Sequence, residues 1–121
     1  MNKLEAAKRL QSRTKQFAIE IIKTFVSLPK NEPAHVIGRQ FLRSGTAVAA
    51  NYRAACRARS LADFISKLAI VLEEADETLF WLELLVESNL VRSELLEPVR
   101  SECGELVKIF ASSLATAKAN R

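Results

Sequence analysis

The 121-residue chain predicts an all-α protein, an up-down-up-down antiparallel four-helix bundle that assembles into a cyclic homo-oligomer. Three observations carry that expectation. Apolar residues recur at alternating spacings of three and four through four separate stretches, the pattern of helices buried along one stripe. Hydrophobic residues make up 49% of the chain with only 3 Gly and 3 Pro, as a turn-poor helical domain requires. The breaks between stretches are short, so consecutive helices of roughly 25 residues can pack only as antiparallel neighbours. One core fits this length and two do not, so residues 1–121 read as a single domain with helices near 3–28, 33–58, 61–88 and 94–118.

The first stripe holds Leu10, Thr14, Phe17, Ile21, Thr24 and Leu28, widened by Ala18, Ile22 and Phe25. Pro29 and Asn31 end it. Pro33 suits a first helical turn, where a missing N–H costs nothing, so the second helix begins beside it. Its seam is Ile37, Phe41, Ser44, Val48, Asn51 and Ala55, with Gly45, Ala47, Ala49, Ala50 and Ala54 too short to hold neighbouring backbones apart.

Ser60-Leu-Ala-Asp63 has the form of a capping box. From there Leu61, Phe64, Leu68, Val71, Ala75, Thr78, Leu82 and Leu85 keep the rhythm to a stop at Ser88-Asn89. Ser93 reads as the cap of a fourth helix carrying Leu96, Val99, Cys103, Leu106, Phe110, Ser113 and Ala117. Pro98 then requires either a late start or a distorted first turn, because it removes a helical hydrogen bond. Gly104 weakens the same helix.

The third helix carries more apolar surface than one face needs. Ile70, Glu74, Glu77, Trp81 and Leu84 form a second four-three series outside its core arc, and a Trp with two aliphatics among acids is typical of an interface. These five residues are the candidate oligomer contact. Unlike surfaces meeting head to tail close naturally into rings.

Charge is unevenly spread. Residues 1–60 hold 12 Lys and Arg against 3 Asp and Glu, whereas residues 61–88 hold 1 against 7. On the second helix Arg39, Arg43, Arg53 and Arg57 fall within an arc of about 80° opposite the core seam. Arg9, Arg13 and Lys23 lie opposite the apolar stripe of the first helix, with Lys8 and Lys15 at its flank. Guanidinium forks bind phosphates bidentately and counterion release drives such binding, so Arg9, Arg13, Arg39, Arg43, Arg53 and Arg57 are the candidate nucleic-acid contacts. The competing reading pairs the arginines with Glu73, Glu77 and Glu87 of a neighbouring helix or subunit, leaving a protein-interaction scaffold. Tyr52, the one tyrosine, points nearer the core, which argues for backbone contacts over base stacking.

Catalytic chemistry is missing from the pattern. His35 is the single histidine, and a di-iron bundle needs Glu-x-x-His on each of two helices. Glu73, Glu74 and Glu77 point mostly away from the core seam, and no GxxxxGK(S/T), GxGxxG or GxSxG occurs. Cys56 and Cys103 have no metal-like spacing and read as reduced, buried thiols. No metal or cofactor is expected, and the absence of a signal-like or membrane-length apolar run points to the cytoplasm.

Gln40-Phe-Leu-Arg43-Ser44-Gly-Thr-Ala-Val48-Ala-Ala-Asn51-Tyr-Arg, then Phe64-Ile-Ser-Lys67-Leu and Glu73-Glu74-Ala-Asp-Glu77-Thr-Leu-Phe-Trp81-Leu82, together resemble a known pattern. It is that of the four-helix-bundle proteins encoded in intervening sequences of bacterial 23S ribosomal RNA genes, shared by the accessory variability protein of diversity-generating retroelements. The resemblance implies a homopentameric barrel without catalytic activity that binds RNA or DNA and, in the retroelement branch, a reverse transcriptase. Members commonly carry an acid three positions after the asparagine, where this chain has Ala54, so any ion pair made there is absent. The acidic third helix also makes this chain less basic than the retroelement proteins.

Overall fold

A computed structural model describes all residues, Met1–Arg121, as four helices with no strand: α1 (Lys3–Ser27), α2 (Glu32–Cys56), α3 (Leu61–Glu87) and α4 (Ser93–Ala119). Three of the four starts are fixed by side-chain caps. Asn2 accepts the Glu5 N–H at 2.8 Å and Asn31 the Ala34 N–H at 3.0 Å, with Pro33 in the first turn of α2. Ser60 accepts the Asp63 N–H at 3.0 Å, and the Asp63 carboxylate turns back to the Arg59 N–H at 3.3 Å and to Lys67 Nζ at 2.7 Å. That salt link and the backbone hydrogen bond hold the Asp63 carboxyl below its ordinary value.

The start of α4 differs from the sequence expectation. Arg92 occupies the cap position and makes no side-chain cap bond, while Ser93 is already helical. Pro98 sits inside the helix. Its missing N–H would have bonded the carbonyl of Glu94, an exposed residue of the first turn, where solvent access lowers the cost of the lost donor. At the other end of this connection Asn89 adopts the left-handed conformation (φ 63°), and the N–H groups of Leu90 and Val91 both reach the Leu85 carbonyl at 3.1 Å. An asparagine tolerates that geometry and thereby stops α3.

The core forms where the four stripes meet: Phe17 and Ile21 from α1, Phe41 and Val48 from α2, Leu68, Val71, Leu82 and Leu85 from α3, Leu96, Leu106 and Phe110 from α4. Leu61, placed on the core stripe by periodicity, is exposed instead because it occupies the first helical position of α3. Three polar side chains are buried with this core: Thr14, whose hydroxyl donates to the Leu10 carbonyl at 2.9 Å, Ser44 and Thr78. The Thr78 hydroxyl lies 2.7 Å from the Glu74 carbonyl and 2.8 Å from Ser44 Oγ, so both buried hydroxyls are satisfied across the α2/α3 contact. Cys103 Sγ donates to the Ala75 carbonyl at 3.3 Å between α4 and α3.

Consecutive helices pack on one another throughout, whereas α1 and α4 touch only sparingly. The α1/α2 contact is the one that sets up the candidate surface. Gly45 lies so near Ile21 that a Cβ there would stand 2.7 Å from Cγ1, and Gly38, seven residues earlier, faces Leu28 and Phe25 further along α1.

Candidate nucleic-acid interface

The close approach at Gly45 brings the flanks of α1 and α2 together as the two lips of a groove. Lys8 and Lys15 line one lip, Arg53 and Arg57 the other, with Gln11, Ser12, Ala49 and Ala50 between them, around a volume of about 630 Å³. No carboxylate lines this groove. None of its four cations enters a salt bridge. On each helix the two cations sit a whole number of turns apart, about 6 Å for Arg53 and Arg57 and about 10.5 Å for Lys8 and Lys15 at 1.5 Å per residue. Small side chains at Ala49 and Ala50 keep the floor between the lips low.

The six candidate arginines do not share one surface. Arg13 leaves α1 toward α4 and grips Glu102 with Nε and an Nη, each at 2.7 Å. Arg43 leaves α2 toward α3, where it holds Glu74 at 2.9 Å and 3.3 Å and also reaches Glu77. In each case the hydrogen bond to the carboxylate, that of Glu102 or of Glu74, is the largest of the effects that push the guanidinium further above its ordinary value. These two arginines are therefore structural clamps. Arg9 and Arg39 are exposed, without ion-pair partners, and lie outside the groove lining.

Of the groove residues, Lys8 and Lys15 were visible in the sequence only as flanking charges. The seven-residue interval between them was the available signal, but its meaning depends on which flank of α1 faces α2. Gly45 and Ile21 decide that.

The second candidate surface is more divided than its periodicity implies. Ile70 is 43% exposed, while Glu74 and Glu77 are engaged by Arg43 within the chain. Trp81 is half-buried and packs against the core, and its indole Nε1 is buried with no hydrogen-bond partner. Leu84 is half-buried as well. Phe80, absent from the four-three series, is 52% exposed and meets the Trp81 ring edge-on at 5.0 Å. The outward apolar surface of α3 thus centres on Ile70 and Phe80, with Trp81 as its base.

No group of three or more His, Cys, Asp or Glu is arranged to hold a metal ion. No helix is long and apolar enough to cross a membrane.

With this geometry in place, comparison with known proteins gives a family. The model of the 23S rRNA-intervening sequence protein family matches residues 8–112. The chain belongs to that family. It is also similar to a crystal structure of a protein with unknown function from the S23 ribosomal protein family of Bacteroides thetaiotaomicron, at 36% identity and a TM-score of 0.82. That match covers 90% of this chain and 97% of the other. No curated protein matches the chain. The family's description names no activity.

Proposed function

We propose that the chain is a non-enzymatic, cytoplasmic protein, an up-down-up-down antiparallel bundle forming a closed homo-oligomer that binds RNA by its phosphate backbone in the α1/α2 groove. One observation carries the reading: Lys8, Lys15, Arg53 and Arg57 line a single concavity in which no carboxylate competes for them. The family description, which ties these proteins to an interruption of ribosomal RNA genes, favours RNA over other polyanions. Absence of aromatic side chains from the lining favours sequence-independent contacts. Self-association is supported by Ile70 and Phe80, large apolar side chains on the same helix as the chain's densest run of acids. That acidic, apolar face complements the basic flank of a second copy, and the pentamer implied by resemblance is one closed form of such head-to-tail contact.

The scaffold reading has its own support in the two arginine clamps, which spend guanidinium groups on carboxylates of the same chain. Affinity for a structured RNA measured over a salt series separates the two. The groove predicts a steep fall of affinity with salt, and Arg53→Ala with Arg57→Ala should weaken binding and reduce the slope by about 2. Binding that ignores salt, or that the double variant leaves intact, refutes the groove. For assembly, Ile70→Glu with Phe80→Glu should lower the particle mass in light scattering, and an unchanged mass refutes the apolar contact.

A further inference from the structure

The groove takes up the α1/α2 flank, but the end of the bundle where α1 begins and α2 stops carries a different kind of opening. A basin of about 570 Å³ lies there, within the range of small-molecule sites. Its wall is mainly apolar: Ala6, Ala7 and Leu10 from α1, Ala55 from α2 and Phe64 from α3. The short connection from α2 to α3 adds Ala58 and Ser60 to the lining, and Ala6 and Ala7 stay accessible on α1 whereas Ala55 is buried. The polar side chains of the lining are Lys3, Tyr52, Ser60 and Ser113, with the Cys56 thiol. Lys3 stands at the rim on the first turn of α1, and the Tyr52 phenol and Cys56 thiol, one helical turn apart on α2, adjoin each other in the wall. Tyr52 is 6% exposed, its ring tilted against Phe110 at 5.3 Å. Burial raises its hydroxyl well above the ordinary tyrosine value, so it stays protonated and able to donate.

We infer that this basin binds an aliphatic carboxylate, its chain on the alanine, Leu10 and Phe64 wall and its anionic head beside Lys3. The assignment rests on complementarity: an apolar wall excludes a polar ligand, and the one charged residue in the lining is a cation. An acyl chain satisfies the wall and a carboxylate satisfies the rim.

The two cysteines provide the readout. Cys56 lines the basin and is partly accessible, whereas Cys103 is fully buried with its thiol pushed up to about 12 by desolvation, so it serves as an internal control. Alkylation by N-ethylmaleimide, followed by mass spectrometry with and without sodium decanoate, tests the site on the full chain. Decanoate should slow Cys56 modification at least tenfold, decanol should do so less, and Lys3→Glu should remove the preference for the acid. Ala7→Phe fills the basin and should abolish protection. The Lys3 variant, on an exposed first turn, keeps the test decisive if the Phe variant does not fold. Absence of protection overturns the inference. So does protection that survives both substitutions, or a Cys56 shielded only when light scattering shows a larger particle, since the occupant would then be a second copy.

Discussion

Gly45 and Gly104 are both interior helix glycines, yet alanine should move the stability of the two sites in opposite directions. The intrinsic gain is the same at each, about 1 kcal/mol for replacing Gly by Ala in a helix. At Gly104 nothing lies within 4 Å of a new Cβ, so the whole gain is realised. At Gly45 the Cβ would stand 2.7 Å from Ile21 Cγ1 and 2.8 Å from both Cδ1 and Cγ2. Carbon atoms rest about 3.5–4.0 Å apart, and all three outer carbons of a fully buried, β-branched side chain are involved, so no rotamer relieves the clash. Overpacking of this kind costs about 1–3 kcal/mol, which outweighs the propensity gain. Gly45→Ala should be destabilising by about 1 kcal/mol and Gly104→Ala stabilising by about 1 kcal/mol. Gly38→Ala should fall between them, because its one close contact, at 2.8 Å, is the end of the Leu28 side chain. Urea unfolding followed by far-ultraviolet circular dichroism, at one protein concentration to hold any assembly term fixed, orders the three variants. A Gly45→Ala midpoint at or above wild type would refute the close α1/α2 approach, and with it the lip-to-lip placement of the basic groove.

Arg43→Ala should lower stability by about 1 kcal/mol, as expected for a bidentate pair with one partly shielded partner, and Arg39→Ala should leave it unchanged; a double-mutant cycle with Glu74→Gln in urea measures the coupling. Thr78→Val should cost about 1 kcal/mol by removing the hydroxyl contact between α3 and α2, Ser44 keeping its bond to the Phe41 carbonyl, while Ser44→Ala combined with Thr78→Val should cost less than the sum of the single changes. Asp63 has a depressed folded value, so its contribution is present at neutral pH and is lost as the pH falls through that value; Asp63→Asn should therefore be less stable than wild type at pH 7, with the gap closing in acid. Ala50→Glu places a carboxylate on the exposed floor of the groove and should suppress RNA binding in a salt-series titration without moving the unfolding midpoint, a shift in both disqualifying the variant as a surface change.

The fold was legible because each helix carries an apolar stripe, and α2 and α3 also carry a start signal that the backbone obeys. Ser60 with Asp63 marks α3, and Leu68, Val71, Ala75, Thr78, Leu82 and Leu85, chosen by spacing alone, are all buried. The α4 start was less so. Ser93 has the chemistry of a cap but its backbone is already helical, and cap chemistry cannot reveal which of two adjacent residues turns first. The candidate site was legible only in part for a geometric reason. A helical wheel sorts residues into inward and outward, but an outward arginine near the edge of its arc belongs to whichever neighbour lies on that side. Arg43 and Arg53 share an arc on the wheel, yet one meets Glu74 and the other lines a groove that holds no carboxylate. The same geometry governs α3: Trp81 sits at the edge of its arc and is half-buried, while Phe80, outside the four-three series, is exposed.

Which cations remain available is thus decided by helix adjacency. Almost all carboxylates of the chain sit on α3 and α4, while α1 and α2 carry only Glu5, Glu20 and Glu32. An arginine of α1 that leans toward α4, or one of α2 that leans toward α3, meets an acid and is neutralised. A cation leaning into the α1/α2 seam meets another cation, and bringing the two rows together is electrostatically unfavourable unless something anionic lies between them. The apolar contacts beneath, with Ile21 seated on Gly45, hold the rows at that distance regardless. The helix backbones that carry the groove are therefore placed by packing: the repulsion between their cations is offset by core burial, and the phosphate backbone of the proposed RNA would gain attraction at the cost of ordering only the lysine and arginine side chains.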